Sequence, residues 1–501
     1  MARVQLNLNL NRVEGDLEIG VTLEDGVVVE ARTVGTMYRG FEQIMIGRAA
    51  RDGLVITPRV CGICGTAHLY AATLALEHAW GVTPPPHAVR IRNLCLLAEG
   101  LQNDLRQTLL FFAPDFCNPR YQNEPWFDEA LAGFEPFRGA FYLETLAATR
   151  EAVKIIAHFG GQWPHSSYMA PGGVTLPADM RKLIACRALL DGFQRFYETR
   201  VIGAPLDAWL ALDTAQDYFA LLETPAHARS ALGLLSRAAR ALDLHKTAAG
   251  VGALLSFGAW RDPENPDAPL LAAGFYDGAA TAPLDQGRIN EHVRHSWFRP
   301  YEGGRHPWKG ETIPNYAPDG DRYSWAKAPR YGDAVVQTGP LAELLIGGDA
   351  LVASLYAEEG GGAWLRQFAR VRRVAHELRF ARQMLDQLAG DLSGPHFLPP
   401  AHEGDGEGHG LTMAARGALG HWIRVKDGVI EKYQIITPTA WNASPRDSAG
   451  QPGHWEQSLV GVRVKDPDDP IEIGHVIRSH DPCLVCTVHM LDSGRKLHFG
   501  V

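Results

Sequence analysis

Cysteine is scarce in this chain: seven in 501 residues, an odd total. That density excludes a framework of disulfides. Long apolar runs are missing too, and no stretch approaches the roughly 20 residues of a membrane-spanning helix. The opening MARVQLNLNLNRVEGDLEIG has no basic region followed by an apolar core. No secretory signal is therefore expected; a cytoplasmic location is the expectation, with export carried by a partner as the alternative. A basic surplus is also lacking. The formal net charge is -9, with acids spread along the chain, which leaves no footprint for a nucleic-acid partner. What is present is 46% hydrophobic and 21% charged residues, the balance of a soluble globular body. The length allows two or three average domains or one large unit. No repeat and no clear linker divides it, so one domain over residues 1–501 is expected.

Residues 4–34 alternate apolar and polar side chains, and Asp25-Gly26 is a hairpin turn signal. The pattern then turns helical. HLYAATLALEHAW and VRIRNLCLLAEGLQNDLRQTLLFFA carry apolar residues three and four apart, with Pro84-Pro85-Pro86 between them. Further helices are expected around 141–159, 177–200, 227–247, 340–357 and 363–391. Residues 258–335, rich in Pro, Gly, Trp and Tyr, predict short strands and long loops. AHEGDGEGHG (401–410) reads as a solvated glycine-rich loop. Strands return in HWIRVKDGVIEKYQIITPT, where Asp427-Gly428 marks a second hairpin. The expected class is α+β, a large mainly helical core with antiparallel β-structure contributed by both chain ends.

Four of the cysteines form two C-x-x-C pairs, Cys61/Cys64 and Cys483/Cys486, trailed by His68 and His489. A thioredoxin-type dithiol would need a small βαβ unit around one pair and leaves the other pair unexplained. A zinc ribbon usually places its pairs about 15–20 residues apart, because the site staples a small unit. Here 418 residues lie between Cys64 and Cys483. A zinc-stabilised binding protein and a site for another soft metal both stay open on these grounds.

Taken together, R-x-C-G-x-C-x-x-x-H (59–68) and D-P-C-x-x-C-x-x-H (481–489) resemble the large subunit of nickel–iron hydrogenases. RVEGD (12–16), YRGFE (38–42), ARGALGHW (415–422) and YQIITPTAWNASPRD (433–447) resemble further elements of that family, so the likeness runs the length of the chain. It implies heterolytic H2 cleavage, H2 ⇌ 2H⁺ + 2e⁻, at a Ni-Fe(CN)2(CO) centre. Cys61 and Cys483 would be terminal nickel ligands, and Cys64 and Cys486 would bridge nickel to iron. Glu14 would pass the proton on from Cys483. Arg416 would stand over the open metal positions, and Thr439 would hydrogen-bond a cyanide. Glu42 and His489, with the Ile435 carbonyl, would hold a magnesium-like ion, and His68 would orient a cysteine sulfur. No cysteine motif remains for iron–sulfur clusters, so an iron–sulfur small subunit is the implied partner, in a heterodimer or a dimer of heterodimers. Maturation proteins are implied as well.

The chain also departs from that family. Asp16 replaces a histidine, Ala415 a proline, and Asn103 an aspartate that pairs with the arginine, so Arg416 is expected to be less firmly held. Ile63 and Phe111 stand where Val and Leu usually line the end of the gas channel, and should narrow it. Ile63, Phe111 and Asp16 resemble the cytoplasmic H2-sensing hydrogenases and their uptake relatives, which implies a histidine kinase as an alternative partner. Residues 490–501 form a tail that maturation could remove.

Overall fold

The computed structural model describes residues 3–13, 15, 17–318 and 320–483. Glu14, Asp16, Cys486, His489 and the tail 490–501 lie outside the described residues. Helix outweighs strand, 44% to 19%, as an α+β class with a mainly helical core requires.

At the N-terminus, β1 (Arg3–Asn9), β2 (Leu17–Glu24) and β3 (Val27–Gly35) form an antiparallel sheet in that order. Asp25 and Gly26 join β2 to β3 with φ of 50° and 78°, the left-handed pair that a tight hairpin needs. Leu17, Ile19, Val21 and Leu23 alternate inward along β2. They meet Trp455, Leu459, Ile473, Val476 and Ile477 from the far end of the chain. The two ends thus share one core.

Helices α1 (Gly65–Trp80) and α2 (Pro86–Arg106) are buried along nearly their whole length. A helix buried on every side belongs at the centre of a large core. Pro86 opens α2 at a position where no backbone N–H is needed. Its far end loosens into a wider π-type turn over Gln107–Phe112. Next come α3 (Met180–Phe196) and the paired strands β4 (Leu254–Arg261) and β5 (Pro269–Tyr276). The region after β5 is irregular, as expected. Residues 340–357 do not form one helix: Pro340–Ile346 and Ala350–Glu359 are separate, bent by 112°. The break is Gly347-Gly348, with Gly348 at φ 85° and Asp349 capping the second helix through Val352 N–H. Helix α4 (Ala363–Gly390) runs the length of the core. No single helix among the described residues is long and apolar enough to cross a membrane.

The expected loop at 401–410 is corrected. Residues 406–410 open β6 (Gly406–Ala414), which pairs with β7 (Gly417–Lys426), itself paired with β8 (Val429–Ile436). Gly406, Gly408 and Gly410 alternate onto α1. A Cβ at these three positions would stand 2.5, 1.9 and 2.0 Å from the carbonyls of Ala79, Ala75 and Ala71. These glycines provide close approach of strand to helix, not looseness. The chain ends in α5 (Ile471–Arg478) and the short segment to Cys483.

Candidate metal centre

Cys61 and Cys64 lie on the loop that enters α1, with Cys64 at its N-cap position. The partial positive charge of a helix start favours a thiolate there. The capping task falls to Glu99 of α2, whose carboxylate accepts from Thr66 N (2.9 Å) and Ala67 N (3.0 Å). Burial pushes the Glu99 carboxyl up to about 7, against the pull of those N–H groups. Cys483 arrives from the other end of the chain, its backbone N–H donating to Thr439 Oγ1 at 3.2 Å.

The Cys61 and Cys483 sulfurs are 3.6 Å apart, and with Cys64 all three ligand atoms lie within 4.8 Å of one another, buried. That separation far exceeds the roughly 2.05 Å of a disulfide. It is close to the ~3.7 Å between two thiolates on one tetrahedral metal at ~2.3 Å. The donor set therefore fits a soft metal. Among the described residues, no other group of three His, Cys, Asp or Glu side chains converges in this way. Ile63 packs against this cluster of three cysteines. Phe111 is not among the side chains packed there; it lies in the π-type turn after α2, its carbonyl accepting from Arg12 Nη1 at 2.8 Å.

Arg416 occupies the tight turn between β6 and β7 and is 3% exposed. Its Nε donates to Asp481 Oδ1 at 2.9 Å. Asp481 Oδ2 accepts from Asn103 Nδ2 (2.8 Å) and Arg370 Nη1 (3.2 Å). The expectation that Asn103 leaves the guanidinium loosely held is thus corrected: Asp481 holds Arg416, and Asn103 steadies Asp481. Arg416 Nη1 has no partner among the described residues. Burial alone would weaken the cation, but Asp481 and the Cys483, Cys64 and Cys61 sulfurs keep it firmly charged.

His68 Nδ1 meets His421 Nε2 at 3.1 Å, and His421 Nδ1 meets the Tyr433 hydroxyl at 2.8 Å. Burial lowers His68 to about 4 and His421 well below its usual range, so both rings are neutral. A phenol donating to His421 Nδ1 makes His421 Nε2–H donate to His68. His68 then carries its own proton on Nε2. The opposite polarity would strand the phenol proton in the core. Thr439 sits in the first turn of Pro438–Asn442, and its neighbour Thr437 performs the cap, accepting from Ala440 N at 3.2 Å.

Glu42 lines a separate cavity of about 70 Å³ with Tyr38, Glu291, Thr312, Lys327 and Ile435. Glu42 Oε1 accepts from the Ile435 amide N at 3.2 Å. Lys327 bridges Glu291 (3.1 Å) and Gln434 (2.8 Å).

A sequence profile for nickel-dependent hydrogenases matches residues 39–125, 128–206 and 234–489. The chain belongs to that family. It is 32% identical to the periplasmic [NiFeSe] hydrogenase large subunit of Desulfomicrobium baculatum, over 98% of this chain and 95% of that one. With the hydrogenase-2 large chain of Escherichia coli K12 it shares 28% identity over 97% and 96%. The Ni-Fe-Se hydrogenase from D. vulgaris Hildenborough in the reduced state superposes with a TM-score of 0.82 at 30% identity, covering 97% and 100%. This hydrogenase chain is accordingly a catalytic large subunit, of the kind that pairs with a small subunit. The zinc-stabilised and thioredoxin-like readings fall with that match.

Several residues that shape this hydrogenase site escaped sequence reading. Asp115 accepts from Arg478 Nη1 at 2.8 Å through both oxygens and pairs with Arg12. Burial would raise Asp115, but Arg12 and Arg478 hold it down at about 2. Arg478 also donates to Asn11 Oδ1 at 2.7 Å. The RVEGD segment is thereby tied to the segment bearing Cys483. Asp481 and Arg12 stood in the D-P-C and RVEGD motifs, whereas Asp115, Arg478 and Asn11 had no signal.

Proposed function

We propose that this hydrogenase large subunit oxidises H2 reversibly, H2 ⇌ 2H⁺ + 2e⁻, and passes the electrons to iron–sulfur clusters in its small subunit. The observation that carries the reading is the convergence of Cys61, Cys64 and Cys483 beneath Arg416. Cys61, Cys64, Cys483 and Cys486 would together hold the nickel–iron centre, Cys61 and Cys483 as nickel ligands and Cys64 and Cys486 as ligands to nickel and iron. When bound, a Ni-Fe(CN)2(CO) centre supplies an open soft-metal position at which H2 is split. The chain's own groups then act on the products. Cys483 is the thiolate that takes the proton, and Glu14 relays it outward. Arg416, clamped by Asp481, places a fixed cation over the pocket, and Thr439 offers its hydroxyl to a cyanide. His68, its proton set on Nε2 by His421 and Tyr433, steadies a cysteine sulfur. Glu42, His489 and the Ile435 carbonyl would hold a magnesium-like ion, for which a carboxylate-lined cavity with room for water is suited. The chain forms one catalytic unit in a cytoplasmic setting, and its tail, 490–501, is trimmed on maturation.

Ile63, packed against the cysteine cluster, favours a second reading: an H2 sensor with slow turnover that signals to a histidine kinase, its gas path narrowed by Ile63 and Phe111. Metal analysis with infrared spectroscopy tests the first reading. Nickel, iron and CO and cyanide stretches are expected; zinc alone would overturn it. Fast turnover with an artificial electron acceptor separates enzyme from sensor.

A further inference from the structure

Behind Arg416 lies a buried group of acids that the chemistry above leaves unused. Arg373 of α4 donates Nε and Nη2 to Asp104 (2.8 and 2.7 Å) and Nη1 to Glu343 (2.8 Å), and also reaches the Ala415 carbonyl. Glu377, one turn further along α4, receives no hydrogen bond from it; its nearest approach to Arg373 is 3.8 Å. Glu377 Oε2 and Glu343 Oε1 have no partner among the described residues, and both side chains are about 1% exposed or less. With Glu99 they line a cavity of about 10 Å³. The site is built to admit the Glu377 carboxylate: a Cβ at Gly100 of α2 would stand 1.9 Å from its Oε1.

Charge decides what this cavity takes. Glu99, Asp104 and Asp481, together with Glu343 and Glu377, present five carboxyl groups to the three guanidinium groups of Arg370, Arg373 and Arg416. The other titratable neighbour, Tyr197 from the turn after α3, donates its hydroxyl to the Val371 carbonyl at 2.8 Å. A buried carboxylate without a cation or donor is relieved most cheaply by taking up a proton. Glu377 is the acid that Arg373 serves least. A cavity of ~10–15 Å³ holds a single water, which needs two to four polar partners.

We propose that Glu377 is protonated at neutral pH and that one water bridges its hydroxyl to Glu343 Oε1 and Glu99, forming an internal proton store behind Arg416. Glu377 Oε2–H donates to the water, and the water donates to the two acceptors, so each unpartnered oxygen is satisfied. Burial and the neighbouring Asp104 and Glu343 charges push the Glu377 carboxyl in the same direction. The store needs no metal, so its failure would not be a failure of the H2 chemistry.

Infrared spectroscopy of the whole protein, with its partner subunit, tests this. The difference between wild type and Glu377→Gln should show one carboxylic-acid C=O band, shifted in D2O and lost in the variant. Glu343→Gln should move that band without removing it. A difference spectrum showing a lost carboxylate pair of bands, or no loss at all, would overturn the proposal. Gln is the neutral isostere of the protonated acid, so a Glu377→Gln chain that cannot fold would overturn it too.

Discussion

Replacing Asp481 by Asn keeps the side-chain shape and removes the charge on which Arg416, Asn103 and Arg370 converge. Asp481 has φ 59°, a left-handed conformation that Asn tolerates, so the backbone is not the target of the change. The direct attraction of one guanidinium at 2.9 Å is about 6 kcal/mol at an effective dielectric of 20. Desolvation offsets part of it, and breaking a buried pair from one side costs about 3–5 kcal/mol. The Asn oxygen can still accept from Arg416 while Asn103 turns its own oxygen to the new amide. Arg370 then keeps only Asp104, 3.7 Å away. The expected loss is therefore at the low end, about 3 kcal/mol. Equilibrium urea unfolding of Asp481→Asn, Asn103→Ala and the double variant measures it. The cycle should give about 0.5–1 kcal/mol of coupling, because the hydrogen bond retained by the turned Asn103 amide changes from a charged to a neutral one. An Asp481→Asn protein with a wild-type midpoint and full H2 turnover would refute the clamp.

Cys483→Ala should lower nickel per chain by at least about tenfold, no less than losing a group that only orients a ligand, as read by elemental analysis. Gly410→Ala should destabilise by about 3 kcal/mol and lower the thermal midpoint, since the new methyl meets backbone of α1 that cannot yield. An unchanged midpoint would refute the close packing of β6 on α1. Glu99 gives a pH signature. Its folded pKa of about 7 stands above the ordinary 4.5, so the folded chain retains a proton that the unfolded chain releases. Stability should fall by about 3 kcal/mol as pH rises through that window, and Glu99→Gln should flatten the decline in chemical denaturation.

The hairpins at Asp25-Gly26 and Asp427-Gly428, the buried helices and the convergence of the cysteine loops were legible because each rests on local pattern or motif. The strand at Gly406 was not. Three glycines alternating with polar residues look like a loop until α1 lies against them, and the missing side chains are the signal. The hold on Arg416 was likewise hidden. Position 103 read as a weakened partner, but hydrogen bonding from Asn103 to Asp481 couples residues 378 apart. His421 and Tyr433 stood within recognisable motifs, yet only their hydrogen-bonded chain behind His68 shows a direction of proton donation. Buried ion groups such as Arg373 with Asp104 and Glu343 have no short-range pattern at all.

The shared core of the two chain ends has a consequence for biosynthesis. Cys61 and Cys483 are 422 residues apart, and closing so long a loop costs about 5 kcal/mol of chain entropy beyond a constant. The interdigitation of β2 with Trp455, Ile473 and Val476 offsets that cost before any thiol has a metal to bind. During synthesis, β2 must wait for nearly the whole chain to emerge before its partners exist. The thiolate pocket can therefore close only after the segment bearing Cys483 has been made, which places metal loading behind the synthesis of both cysteine loops.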